Sequence, residues 1–198
     1  NSEKSAAGNW ERVVPQGTTF QNKISNPNQD VSDDLGRFAY ITGNGGVNPG
    51  DNDVDGGATT LLSPIIDGEG ADSLKGSFYY WFYNDGGSGN PNDYFSVYVD
   101  NGISASPLLI ELTSASEWKK FDFAFAKNQV TMTNKMRMVV KAEDIAPGHL
   151  VEAGIDQFKI EIIKSTSASN DLQNVSITMY PNPANSSINI ESSMDANL

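Results

Sequence analysis

The chain contains no cysteine. That excludes disulfides, thiol catalysis and cysteine-based zinc sites. It has a single histidine, His149, so any Ser-His-Asp chemistry would have to pass through that residue. No stretch approaches the run of about 20 apolar residues that a membrane-crossing helix needs, and no signal-peptide pattern occurs. The opening NSEKSAAGNW lacks a starting Met and reads as a segment of a longer precursor. Basic residues are scarce, 13 against 25 acidic ones, for a net charge of −12. Such a chain is repelled by nucleic acid and by anionic membrane surfaces. The acidic excess suits cation binding, or simple solubility. No P-loop, no GxGxxG in a βαβ setting and no HExxH is present.

What is there points to β structure. Apolar residues make up only 38% of the 198, with 18 glycines and 9 prolines, a composition that fits a loop-rich β protein. The length suits one domain with an appendage. Strands are expected at 10–14, 37–43, 58–66, 76–84, 93–102, 108–114, 118–125, 135–144 and 149–163, at roughly 10-residue spacing, the mark of a sandwich or barrel. A polar, Asn-rich loop fills the gap up to about residue 35. Phe95, Val97 and Val99 alternate with Tyr94, Ser96 and Tyr98. Phe121, Phe123 and Phe125 share one face, as do Met136, Met138 and Val140. Between Ile155 and Phe158 the alternation slips, which predicts a bulge near Asp156. The fold class expected is all-β, an antiparallel β-sandwich of jelly-roll type over 8–164. A small polar linker covers 165–171, and a short C-terminal β-like tail covers 172–198, with Pro181 and Pro183 between two alternating strands.

Two resemblances follow from ordered landmarks. Gly8-Asn9-Trp10, Gly17-Thr18, Asn26-Pro27, Asp30, Gly36, Phe38-Ala39-Tyr40, Leu62-Ser63-Pro64, Phe78-Tyr79-Tyr80, Trp118 and Ile155-Asp156 run in an order that resembles MAM-like jelly-roll modules of secreted bacterial proteins. In those modules a DVDGG-like loop precedes TTLLSP and a VEAxIDxF strand closes the domain. The chain departs from the animal MAM domains by lacking their cysteines. Residues 172–198, with NVSITMYPNPANSSINI, resemble the start of a type IX secretion sorting domain of Bacteroidetes-type bacteria, here truncated at Leu198. The resemblances imply a secreted or cell-surface location in a Gram-negative bacterium and passage through the type IX machinery. They also imply a larger precursor, in which such modules often follow a peptidase or another catalytic domain.

The chemistry begins with DNDVDGG. Asp51, Asp53, Asp55 and Gly56 match the opening of a calcium loop, D-x-[DN]-x-[DN]-G. Alternating carboxylates on a tight turn can face one hard cation. The EF-hand pattern then fails, since its twelfth position is Leu62. The alternative is a solvated turn. Jelly rolls often tie an early loop to the last strand through one ion. Asp156, an acid in an apolar strand, is the first distal candidate, because a buried carboxylate needs a partner; hydrogen bonds to backbone amides would serve it equally. Asp30, at a landmark of the resemblance, is next, and Glu152 third. The resemblance also ranks Asp53 and Asp55 above Asp51. The cofactor expected is one structural calcium ion.

A second acidic loop, 83–94, offers Asp85, Asn90 and Asp93, for an ion or simply as a long hairpin loop. In the aromatic run, Tyr80 and Phe82 are expected to point inward. Tyr79, Trp81 and Tyr83 then face outward, as a ligand platform for a sugar ring or beneath a covering loop. His149 sits in a turn with no nucleophile motif nearby and reads as a bystander. The function expected is a non-catalytic accessory or adhesion module stabilised by calcium, with a protein or glycan ligand. The alternative is a carbohydrate-binding module of a secreted polysaccharide- or protein-degrading enzyme.

Overall fold

The structure, a computed structural model, describes residues 5–32, 34–165, 175–180 and 189–194. The strands in chain order are β1 (Trp10–Val13), β2 (Thr18–Phe20), β3 (Lys23–Asn26), β4 (Ala39–Thr42), β5 (Gly57–Leu62), β6 (Ser73–Asp85), β7 (Tyr94–Asp100), β8 (Ala105–Glu111), β9 (Ala115–Ala126), β10 (Arg137–Asp144), β11 (Leu150–Ile163), β12 (Val175–Tyr180) and β13 (Asn189–Met194). Among the described residues there is no helix. A five-stranded sheet, in the order β1-β4-β11-β6-β9, faces a four-stranded sheet, β5-β10-β7-β8. Every pairing is antiparallel. The molecule is an all-β sandwich of jelly-roll type.

The core lies between the sheets, where period-2 alternation sends every second side chain inward. Phe78, Tyr80 and Phe82 from β6 meet Phe95, Val97 and Val99 from β7, with Met138, Val140 and Ala142 from β10 and Val151, Ala153 and Ile155 from β11. Tyr80 stacks on Phe95 at 5.3 Å, one aromatic contact across the two layers. The phases expected for β6, β7 and β10 hold. So does the slip in β11, whose register with β6 shifts between Asp156 and Lys159.

The region up to residue 35 departs from a plain loop. It contains the β2–β3 hairpin, turned at Gln21 and Asn22 with φ of 48° and 65°. Two consecutive positive-φ residues make a turn of the type that Asn-Gly usually marks, and strands of three and four residues are too short to show a period. β12 and β13 pair with each other as a hairpin. The expected linker falls mostly outside the described residues, as do Pro181 and Pro183.

The hairpin and the segment that follows it cover part of the outer face of the five-stranded sheet. Ser116 on β9 hydrogen-bonds the Ile24 carbonyl, and the Trp118 indole donates to the Gln29 carbonyl at 3.0 Å. Beneath lies a second, smaller core: Ala39, Ile41, Trp81, Tyr83 and Leu150, with Val13, Phe20 and Trp118 against it. The sheet is therefore buried on both faces where β4, β11 and β6 meet.

Candidate functional site

On β11, Leu150, Glu152, Gly154 and Asp156 all point toward this second core, the side opposite Val151, Ala153 and Ile155. Two acids are thus carried into a covered face by strand alternation alone. Glu152 is 1% exposed. The 51–57 loop reaches it because the Val54 amide donates to the Val151 carbonyl at 2.8 Å. The N-terminal segment pins the far side of the loop, with the Ala6 amide on the Asp55 carbonyl at 2.7 Å. Gly8, at φ 68°, lets its backbone lie so close to Asp53 and Val54 that a Cβ would collide with both.

Asp53 is 5% exposed, and its charge acts on Glu152. Burial first, and then Asp53, push the Glu152 carboxyl up to about 8. Burial, followed by the charge of Asp55, pushes Asp53 up to about 7, with Asp144 adding to it. Around them stand neutral oxygens. The Thr18 hydroxyl is 3.4 and 3.5 Å from the two Glu152 oxygens and 2.7 Å from the Ser25 hydroxyl. Asn26 is wholly buried. Its amide favours the charged form of Glu152, yet neither its oxygen nor its nitrogen reaches hydrogen-bond geometry with a partner. Neither carboxylate has an ion-pair partner among the described residues. Carboxylate and hydroxyl oxygens are ligands of the kind calcium takes.

The structure divides the acids anticipated as one site. The charge of Asp53 acts on Glu152, and that of the exposed Asp55 acts on Asp53. Asp51 is exposed and serves its own turn, accepting the Asn48 and Val47 amides at 2.8 and 3.1 Å. Asp156 does not meet the 51–57 loop; it joins Asp30 and a residue not anticipated, Asp34. Trp81 explains the division. Its indole lies over Gly154, where a Cβ would collide with the indole nitrogen, and so stands between Glu152 and Asp156. Sequence ranking favoured Asp156 over Glu152 as the loop's partner because both sit in an apolar strand and only the fold shows which one lies opposite Val54.

Of the two readings of Tyr79, Trp81 and Tyr83, an open platform or a face beneath a covering loop, the covered one holds for Trp81 and Tyr83. Trp81 is fully buried and Tyr83 is 3% exposed, both under the β2–β3 hairpin, while Tyr79 is half-buried. No open row forms from the three. Two half-buried tyrosines, Tyr94 and Tyr98, do stand on the outer face of the four-stranded sheet, on β7 with Ser96 between them. A hydrogen bond with Glu143 pushes the Tyr94 phenol up to about 12, and the Lys141 ammonium is 5.9 Å from the Tyr98 ring centre. Their alternation with the core residues of β7 was visible in the sequence.

In the second acidic loop, Asp93 meets Asp144 and His149, three buried groups spaced closely enough to hold an ion. Asp85 pairs with Lys23 at 3.2 Å, and Asn90 is exposed. Asp93 is buried, accepts the Ile145 amide at 2.6 Å and meets His149 Nδ1 at 2.9 Å. Burial, joined by the charge of Asp144, raises its carboxyl against the pull of these partners. Asp144 accepts the His149 and Gly56 amides, both at 3.0 Å, so it ties the 51–57 loop to the β10–β11 turn. A Ser-His-Asp relay needs the second ring nitrogen on a nucleophile; His149 Nε2 is buried and has no hydrogen-bond partner.

No family model matches this chain, and neither does any curated protein sequence. Solved structures do resemble it. The K3 cleaved adhesin domain of Lys-gingipain from Porphyromonas gingivalis is 11% identical, with 69% of this chain and 81% of that one covered and a TM-score of 0.41. A family 16 carbohydrate-binding module is 9% identical, over 76% and 89%, at 0.41. A xylan-binding domain from Paenibacillus barcinonensis is 12% identical, over 83% and 92%, at 0.35. Likeness this distant assigns neither ligand nor partner. No described helix is long and apolar enough to cross a membrane.

Proposed function

We propose that the chain is a non-catalytic binding module, of the accessory or adhesion kind, from a secreted or cell-surface bacterial protein, and that a calcium ion between Asp53 and Glu152 holds its covered sheet face together. One observation carries the calcium: two buried carboxylates from distant parts of the chain feel each other's charge, and neither has an ion-pair partner among the described residues. Burying such charges unpaired is costly, so they must be either neutral or neutralised. Thr18 supplies a further oxygen. The ion would then join the 51–57 loop to β11, a task left to no disulfide in this chain. The MAM-like landmarks support the module reading. The YPNP segment supports export through the type IX machinery from a larger precursor.

The test is thermal unfolding at neutral pH in chelator and then in excess calcium, for the full chain and for Glu152→Gln. Binding to the folded state alone is worth roughly 3–4 kcal/mol at a hundred to a thousand times Kd. A rise in Tm in the native chain that is smaller in Glu152→Gln is the expected result. Equal Tm values in chelator and calcium would remove the ion.

A second reading, glycan binding, has its own observation in the paired Tyr94 and Tyr98, with Glu143 and Lys141 beside them on an uncovered sheet face. Flat aromatic surfaces flanked by hydrogen-bonding groups are the usual composition of a ligand site.

A further inference from the structure

Asp30, Asp34 and Asp156 each place one carboxylate oxygen within 4.8 Å of the other two. Asp30 and Asp34 belong to the segment between β3 and β4, and Asp156 to the bulge of β11. The bulge turns on Gln157, a non-glycine residue at φ 49°, whose amide donates to Asp156 Oδ1 at 2.8 Å. Asp156 is 3% exposed. Its other oxygen, Oδ2, is buried and has no hydrogen-bond partner, and the same is true of Asp30 Oδ2. Two orphaned carboxylate oxygens in one small space are rare in folded proteins, where buried polar atoms find partners. Asp34 Oδ1 takes the Gly36 amide at 2.7 Å, which fixes its side chain.

We propose that these three carboxylates form a second calcium site, which ties the β3–β4 segment to the β11 bulge. Calcium sits about 2.3–2.6 Å from its oxygens and tolerates irregular ligand sets, so ligand oxygens on opposite sides can be about 5 Å apart. The observed spacing needs little adjustment. Burial, with the charges of Asp34 and Asp30, pushes the Asp156 carboxyl up to about 7 against the pull of the Gln157 and Val31 amides. Burial and Asp34 raise that of Asp30, and Arg37 offsets only part. The site does not depend on the ion at Asp53 and Glu152. Glu152 and Asp156 are four residues apart on an extended strand, about 13 Å at the usual rise, with the Trp81 indole over Gly154 between them.

Calcium stoichiometry, measured by titration calorimetry on the chelator-stripped full chain, tests the proposal. The variants are Asp30→Asn with Asp34→Asn, at two positions that are not fully buried, and Glu152→Gln. Expected are two ions on the native chain and one on each variant. One ion on the native chain that the double variant loses and Glu152→Gln keeps would also support this site, and would remove the other. If the double variant binds as many ions as the native chain, or if the native chain binds none, the proposal is overturned.

Discussion

Glu152, Asp53 and Asp156 are acids held in a form that water would not favour. Their folded-state values of about 8, 7 and 7 stand well above the ordinary carboxylate range near 4. Between those limits the folded, calcium-free chain binds more protons than the unfolded chain. Its stability therefore falls as pH rises from about 4 toward 8. Calcium reverses the argument, because it binds the ionised carboxylates and displaces their protons. The gain in Tm from calcium is thus expected to grow from acid to neutral pH, and the decline in chelator to be shallower for Glu152→Gln. Melting curves across that range in both conditions check this; a calcium increment independent of pH would mean that the ion does not compete with these protons. Asp51 serves as the control. It lies at the surface and caps its own turn, so Asp51→Ala should leave the calcium response intact.

At the scale of the element, β11 organises the molecule. It pairs with β4 and β6, sends Val151, Ala153 and Ile155 into the main core, and turns Glu152, Gly154 and Asp156 toward the covered face. Gly154 is required by the close approach of Trp81 and of Ile41. A methyl group there must push the indole away, and overpacking of this kind costs about 1–3 kcal/mol. Trp81→Ala removes a fully buried indole and should cost about 3–5 kcal/mol. Urea unfolding of the two variants measures both. Free tolerance of Gly154→Ala would show that the indole is not held against β11. Much of this strand was legible in its sequence. The slip between Ile155 and Phe158 marks the bulge because a period of two cannot skip a residue without one. The hairpin that covers the strand was not legible. Three- and four-residue strands carry no period, and Gln21-Asn22 is not a usual hairpin turn.

The whole molecule presents its two sheets differently. The five-stranded sheet is covered by the β2–β3 hairpin and the segment after it on the part of its outer face where β4, β11 and β6 meet. The four-stranded sheet keeps its outer face open, with Leu62 and Ile110 exposed there and Tyr94 and Tyr98 half-buried between the edges. A glycan ligand would use this open face. Tyr94→Ala with Tyr98→Ala is expected to lose about five-fold or more in affinity, since aromatic contacts are each worth about 0.5–1.5 kcal/mol beyond the area they bury. Affinity electrophoresis in soluble polysaccharides reads this directly. Unchanged migration of the native chain in every polysaccharide would favour a protein ligand and the adhesion reading.

By itself the sequence determined the class of the fold and most of the core. Alternation of apolar residues is a local property, and it survives without knowledge of any partner strand. It also marked the acids, since charge within or beside apolar runs is visible one residue at a time. Only the tertiary structure decided how those acids group. Asp53 and Glu152 are 99 positions apart, and Asp34 and Asp156 are 122 apart; which of them meet depends on strand register and on the width of one indole. The same holds for the aromatics. Trp81 and Tyr83 have the pattern of an outward face, and they are buried because a hairpin from elsewhere in the chain lies across them.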